Sequence, residues 1–380
     1  MEGSFSAACN VSSAGLSMDG SEYWVAFNRV LGIGPVKFRL LLNYFHEDLA
    51  LAWKAGRQDL ARAGLDQRTL ERFLLQRAKI EPERDLERLE QMGVNVLTWR
   101  DREYPALLRE IEGSPPVLYL KGQLNEADLF SLAVVGTRNA DTYGQQVTER
   151  LVTELARGQV TVVSGLALGI DTIAHHTALE AGGRTIGVLA CGLDVVYPAR
   201  NAQLARRIGE GGQGVLISEY PLGVQPESGN FPARNRIISG LSQGVLVVEA
   251  GEKSGALITA DFATKQGREV FAVPGSVFAS RCLGTNKLIK EGAHLVLEVK
   301  DILDALNLFM LPLRIEARMA LPENGTESTL LALLSHEPIH INELILSSEL
   351  SAPIVTAAMT MLELKGLVKT VGSAQFVLAR

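Results

Sequence analysis

The sequence predicts an α/β protein: a parallel sheet covered on both faces, with a helical segment before it and a small helix-and-hairpin unit after it. Three observations carry this expectation. Between Ser131 and about Val299, short β-branched runs ("LAVVG", "VTVVSG", "TIGVLACG", "GVLISEYP", "GVLVVEAG", "EVFAVPG") alternate with helix-like segments such as "TYGQQVTERLVTELARG". That grammar means βαβ crossovers, hence a Rossmann-type sheet. From Glu22 to about Arg84 the apolar residues instead recur at helical spacing. Residues 327–380 show the helical patterns "STLLALLS", "INELILSS" and "PIVTAAMTMLELKG", then the strand-like "LVKTV" and "QFVLA" around Gly372 and Ser373, which together read as a winged helix.

Taken in order, residues 1–20 are rich in Ser and Gly, lack a basic start and an apolar run, and read as a loose tail rather than a leader. Residues 21–84 read as a small all-helical domain broken by "LGIGP", "KAGRQ" and "RAGLD". "GVNVLTW", "YPALLREI" and "PPVLYLKG" follow as strand, helix and strand, and are expected to pack onto the sheet, giving an extended Rossmann-type domain over 85–303. Two prolines and "ENGT" mark 304–326 as a linker ahead of the winged helix at 327–380.

With 380 residues, 47% of them hydrophobic, the chain can build more than one core. A formal charge of -6 excludes a polybasic coat for nucleic acid or membrane but not one local basic cleft. The cysteines, Cys9, Cys191 and Cys282, are too few and too scattered for a disulfide framework or a Cys-x-x-Cys metal site, which fits a reducing cytoplasm. No stretch reaches the roughly 18 apolar residues of a membrane span.

Every sheet run ends in Gly, Pro or a small residue, so flexible loops leave the carboxyl edge, where open α/β sheets bind ligands. One of them, "VVSGLALGIDTIAHHTAL", concentrates Ser164, Gly165, Gly169, Asp171 and His175. Asp171 and His175 would share a helix face, but two ligands do not close a metal site, and Ser164 lacks the Gly-x-Ser-x-Gly elbow of a nucleophile. Gly165 and Gly169 fit a tight strand-to-helix turn, with Asp171 in the first helical turn and His175 bonding a neighbouring loop. The group therefore reads as scaffold, with no catalytic, metal or cofactor site.

A dinucleotide fold would place G-x-G-x-x-G after "LAVV"; here "GTRNADTYG" sets Arg138 two residues after Gly136, and its planar fork suits phosphate. "NFPARNRIISG" brings Phe231, Arg234, Asn235 and Arg236 to the start of a helix. "EAGEKSGALITA" puts Gly251, Lys253, Ser254 and Gly255 ahead of a helix whose amino end would offer free N–H groups, with Thr259 in its early turns. Cations, amide donors and an aromatic ring around one sheet edge suit a phosphate chain with stackable bases. Upstream, "LGIGPVKFRLLLNYF" resembles a helix-hairpin-helix, in which Gly32, Gly34 and Lys37 form a possible second phosphate contact or a packing element.

"VVGTRNADTYG", "SGLALGIDTIAH", "GLDVVYP", "SEYPLG", "FPARNRIISGLSQGVLVVEAGEKSGALITA" and "GREVFAVPGS…GTNKLIKEGA" together closely resemble the bacterial DNA-processing protein A family, DprA/Smf. The flanks resemble its plan of an N-terminal SAM or helix-hairpin-helix-like domain and a C-terminal winged helix. The resemblance implies a non-enzymatic mediator that binds single-stranded DNA, protects incoming strands in natural transformation, loads the RecA recombinase and forms a homodimer. By motif, Arg138 would meet phosphate, Arg234, Asn235 and Arg236 would line the strand's path, and Lys253, Ser254 and Thr259 would cradle it. Gly136, Ser164, Gly165, Phe231 and Gly255 complete the expected DNA-binding set, while Gly169, Asp171 and His175 belong to the shared motif as architecture. The alternative is a phosphoribohydrolase of the lysine-decarboxylase-like LOG group, whose P-G-G-x-G-T-x-x-E is absent here. The recognition helix, with Glu363 and Lys365, is poorly equipped for duplex DNA.

Overall fold

The apolar runs form the middle of one nine-stranded sheet in a computed structural model that describes residues 20–306, 325–335, 339–348, 350–364, 368–371 and 375–378. Residues 1–19, Cys9 among them, most of the expected linker, Lys365, Gly372 and Ser373 lie outside the described residues. The chain divides into two units, 1–306 and 307–380.

In the first unit the strands are β1 (Asn95–Thr98), β2 (Val117–Gly122), β3 (Ser131–Val135), β4 (Thr161–Ser164), β5 (Thr185–Val188), β6 (Gly214–Ser218), β7 (Gly244–Val247), β8 (Glu269–Ala272) and β9 (His294–Leu295). Their spatial order is β1-β2-β6-β5-β4-β3-β7-β8-β9. From β6 to β9 every pairing is parallel, with Leu132 opposite Val162 on one side and Gly244 on the other. β2 joins β6 antiparallel and carries β1 with it, so the passage before the first run does extend the sheet.

Strands β3 to β7 are buried along their whole length, which is why they read as continuous apolar runs rather than alternating ones. Successive side chains then go to opposite faces. Leu132, Val134 and Val162 pack with Leu151, Leu155, Ile170 and Ala174 of the helices Thr142–Arg157 and Ile170–Glu180. Ala133, Val135 and Val163 pack with Ile237, Ile238, Ala256 and Ala260 of the helices Asn230–Gly240 and Ala256–Lys265.

The N-terminal helices enclose an aromatic cluster in which Phe27 stacks on Phe73 at 5.3 Å and meets Trp53 edge-on at 5.0 Å. That cluster runs without a break into Tyr119, Leu189, Leu193 and Leu204 of the sheet layer. Asn28 Nδ2 ties the two together by donating to the carbonyl of Glu219 at 2.9 Å. The helical segment therefore shares a core with the sheet, and the expected boundary at 84 falls inside the helix Pro82–Gln91.

In the second unit the helices Gly325–Leu333, Ile341–Ser348 and Ala352–Leu364 pack Leu330, Leu344, Val355, Met359 and Leu362 against Phe376. A small antiparallel sheet closes it, with β10 (Ile339–His340), β11 (Val368–Thr370) and β12 (Gln375–Leu378) in the order β10-β12-β11. β10 spans two residues, too short to leave an alternating signature.

Candidate functional site at the switch point

The order of strand addition reverses beside β3: the connection from β3 leads to β4 on one side, while β7 lies on the other. Crossovers leaving neighbouring strands in opposite directions open a crevice at their carboxyl ends. A cleft of about 930 Å³ lies there, lined by Gly136 and Arg138 after β3, by Gly251 and Lys253 after β7, and by Phe231 and Arg234 of the helix Asn230–Gly240.

The loop that presents Arg138 is held from both sides. Thr137 donates its amide to the carbonyl of Glu249 at 2.7 Å and accepts from the amide of Ile170 at 3.2 Å. This closeness needs Gly169, whose φ is 76° and whose Cβ, were there one, would sit 2.2 Å from the Thr137 carbonyl oxygen. The backbone is thus fixed while the Arg138 side chain is exposed, with its Cζ 5.5 Å from the Phe231 ring centroid. Tyr197 also meets Phe231 in a tilted contact, ring centroids 5.5 Å apart. Guanidinium and rings form one continuous surface along the cleft wall.

Arg234 lies beneath them, 4% exposed. Its Nη1 donates to the carbonyls of Gly165, at 2.7 Å, and Val188, and its Nε donates to Asn235 Oδ1 at 3.3 Å. Gly165 makes the room: a Cβ there would stand 2.6 Å from the guanidinium. Burial pulls the Arg234 pKa down to about 10, partly offset by Asp171, so the group stays cationic at neutral pH. Asp171, in the first turn of its helix, accepts the amides of Gly165 at 3.1 Å and Ala167 at 3.3 Å. Burial raises its pKa, while Arg234 and those amides oppose the rise.

His175 is fully buried. Thr185 spends its hydroxyl proton on the carbonyl of Val162 at 2.7 Å, so at 2.6 Å it accepts from His175 Nδ1–H, while Nε2 has no partner. The partner is a strand residue rather than the expected loop. Burial lowers the imidazole pKa to about 3 and keeps it neutral. Among the described residues, no group of three or more His, Cys, Asp or Glu side chains could hold a metal ion.

Several expected contacts take other places. Ser164 ends β4 fully buried, its hydroxyl donating to the carbonyl of Val134 at 2.7 Å, inside the sheet rather than on the cleft wall. Arg236 turns away from the cleft and clasps Glu219 through both nitrogens, at 2.8 and 2.6 Å. Thr259 lies in the floor, 1% exposed. The helix after Gly255 offers fewer bare amides than expected, because Ser254 Oγ accepts from Ala256, and the carbonyls of Ser254 and Gly255 accept from Leu257 and Ile258. Asn235 Nδ2 reaches the Gly255 carbonyl at 3.4 Å, joining the middle of the helix Asn230–Gly240 to the start of the helix Ala256–Lys265. Lys253 remains exposed on the wall.

In the hairpin-like segment, Gly32 takes a φ of 100° and Gly34 caps the helix Pro35–Tyr44. Lys37 Nζ pairs with Asp66 at 2.5 Å and bonds Thr69 Oγ1, so its charge is committed within the fold. The Lys37 ammonium and the Thr69 amide hold the Asp66 carboxyl well below the usual carboxylate range.

Sequence reasoning missed Tyr197 and Arg281, both of which line the cleft. Tyr197 had a signal, an aromatic residue in a carboxyl-edge loop. Arg281 had none, since it reaches the site only through the packing of the segment after β8.

Fold and cleft together define a class: Rossmann-type α/β proteins whose switch point carries cations and aromatic rings where dinucleotide-binding members keep bare glycine backbone. Residues 95–307 match the family model of DNA recombination-mediator protein A, and residues 316–372 match that of the DprA winged helix domain. The chain belongs to the DNA recombination-mediator protein A family, DprA/Smf. It is 38% identical to the Smf protein of Synechocystis sp. over 91% of this chain and 96% of that one. The X-ray structure of DNA processing protein A from Streptococcus pneumoniae superposes with a TM-score of 0.66 at 36% identity, covering 74% of this chain and 97% of that one. For the Helicobacter pylori DNA processing protein A, whose structure was described for its single-stranded DNA binding mode, the TM-score is 0.51 at 32% identity, covering 56% and 95%.

Proposed function

We propose that this chain is a recombination mediator that binds single-stranded DNA in the switch-point cleft, without turnover chemistry of its own. The observation that carries the reading is the Arg138 guanidinium poised over Phe231 on the cleft wall, with Lys253 lining the same cleft. A phosphodiester accepts charge-assisted bonds from the exposed cations, and an unpaired base finds π-faces on Phe231 and Tyr197. In a duplex the bases are stacked on each other and cannot use those rings. The buried Arg234 contributes field from the floor, where water screens it least. Because the whole chain is net negative, attraction of a polyanion is local to this edge.

On this reading the expected path runs over Gly136, Arg138, Phe231, Asn235, Lys253 and Ser254, with Gly165, Arg234 and Thr259 beneath it. The helical segment 21–84, the extended sheet domain 85–303 and the winged helix 327–380 are proposed as working parts. The bound strand is then delivered to the RecA recombinase by a homodimer. The relative from Helicobacter pylori supports single-strand binding, and family membership supports the mediator role.

Titrating oligo-dT and a duplex of equal length into the protein tests the reading, with AMP hydrolysis assayed in parallel. Preference for the single strand with no base release is expected. Equal affinity for the duplex refutes it, and turnover of AMP would favour the phosphoribohydrolase. RecA filament formation on protein-covered strands and sedimentation of the DNA-free protein test loading and dimerisation.

A further inference from the structure

Beyond the cleft, between β8 and the helix Leu283–Lys290, lies a segment built to hold an aromatic ring in water. Phe278 is 97% exposed, the most exposed large hydrophobic side chain among the described residues, and Val277 beside it is 70% exposed. A loose loop would fold such a ring onto the nearest apolar surface. This one is clasped at both ends. Asn286 brackets Gly275, accepting its amide at 3.1 Å and donating to its carbonyl at 3.0 Å, and Tyr143 donates to the carbonyl of Pro274 at 2.7 Å. Inside the loop, Ala279 donates to the Ser276 carbonyl and Cys282 to that of Ala279, at 3.0 and 2.9 Å. Gly275 packs so closely on Cys282 that a Cβ would stand 2.3 Å from its sulfur.

The same segment continues into the cleft wall, where Ser280 and Arg281 are lining residues. Arg281 is oriented by Glu249 and Asp141, whose carboxylates lie 3.6 and 3.7 Å from its nitrogens, and by a long bond to the Asn139 carbonyl at 3.5 Å. The carboxylate distances are ionic rather than hydrogen-bonding, so they aim the guanidinium without saturating it. An exposed aromatic ring on a fixed backbone, three residues before a cation that lines the cleft, is a pairing that suits one nucleotide: phosphate on the cation, base on the ring.

We propose that residues 274–282 form a further nucleotide step on the strand path leaving the switch-point cleft, with the backbone phosphate on Arg281 and the next base stacked on Phe278. This rests on the single-strand reading of the cleft, and the fixed backbone of the loop limits the ordering cost of stacking.

Fluorescence anisotropy with oligo-dT of about four and about twelve nucleotides, within the site sizes such proteins cover, separates the two readings. The proteins are wild type, Phe278→Ala, Phe278→Leu, Phe278→Trp and Arg138→Ala. The short oligonucleotide should bind wild type and all Phe278 variants alike. Phe278→Ala and Phe278→Leu should weaken the long one about five- to a hundredfold, and Phe278→Trp should restore it, with tryptophan emission quenched by the long oligonucleotide alone. Arg138→Ala should weaken both lengths. Undiminished binding of the long oligonucleotide by Phe278→Ala, with Arg138→Ala impaired, overturns the loop step and leaves the cleft reading standing. An Arg138→Ala protein that binds both lengths normally overturns the cleft reading and, with it, the continuity argued here. A lower sedimentation coefficient of DNA-free Phe278→Ala would make the ring a contact between two copies of the chain and overturn the base platform.

Discussion

Arg138→Ala removes an exposed guanidinium from a loop whose backbone is pinned at Thr137 and Gly169, so the fold should survive the change. On the proposed strand path the change removes a charge-assisted hydrogen bond to phosphate, about 1.5–3 kcal/mol, or roughly ten- to a hundredfold in affinity. Because the cleft is open to solvent, and Lys253, Arg281 and Arg234 remain in it, the loss should lie toward the tenfold end. Repulsion between Arg138 and Arg234 also disappears, so stability should be unchanged or slightly higher. Arg138→Lys keeps the charge but not the planar fork over Phe231 and should recover only part of the affinity. The assay is oligo-dT titration at several salt concentrations, with circular dichroism to confirm folding. The slope of log K against log salt should shrink by about 0.7 in Arg138→Ala, one phosphate's worth. Wild-type affinity and slope in a folded Arg138→Ala protein would show that the strand runs elsewhere.

Three further outcomes follow from the buried groups around the cleft. Arg234→Ala leaves the Asp171 carboxyl buried without its cation and the Gly165 and Val188 carbonyls without their donor, and should cost about 3–5 kcal/mol, read as a large fall in Tm; a Tm within a degree or two of wild type would refute this. Gly169→Ala forces a Cβ into the Thr137 carbonyl at positive φ, so about 1–3 kcal/mol of stability and part of the DNA affinity should go together; loss of neither refutes it. His175 has a folded pKa of about 3, below its unfolded value of 6.5, so its contribution is complete above about pH 6.5 and is lost as pH falls toward 3, at up to about 1.4 kcal/mol per pH unit. Asp171, raised by burial, acts in the opposite sense, so the His175 contribution is read as the difference between urea-melt pH profiles of wild type and His175→Asn. A constant difference across that window would refute it, and DNA affinity of the folded His175→Asn protein should stay near wild type.

The sheet was legible in the sequence because a strand buried on both faces must be apolar throughout, and runs such as "LAVV" and "GVLVV" admit no other period. Arg138 and Phe231 were legible as loop and helix-start residues at the carboxyl edge, since that edge follows from parallel connectivity alone. Which side chains face the cleft was decided by geometry that spacing only hints at. Arg234 and Arg236 are two residues apart on a helix and so about 200° apart around it, one under the cleft floor and the other on Glu219. Strand alternation likewise turned Ser164 into the sheet and onto Val134. Tyr197 and Arg281 join the site from distant stretches of chain, and the shared core of the N-terminal helices with the sheet rests on contacts such as Asn28 to Glu219. Local composition determined the elements and the edge where the cleft opens. Tertiary packing alone decided which charges stand exposed there and which are consumed holding the fold together, because burial and partnership depend on residues brought close by the fold and not by the chain.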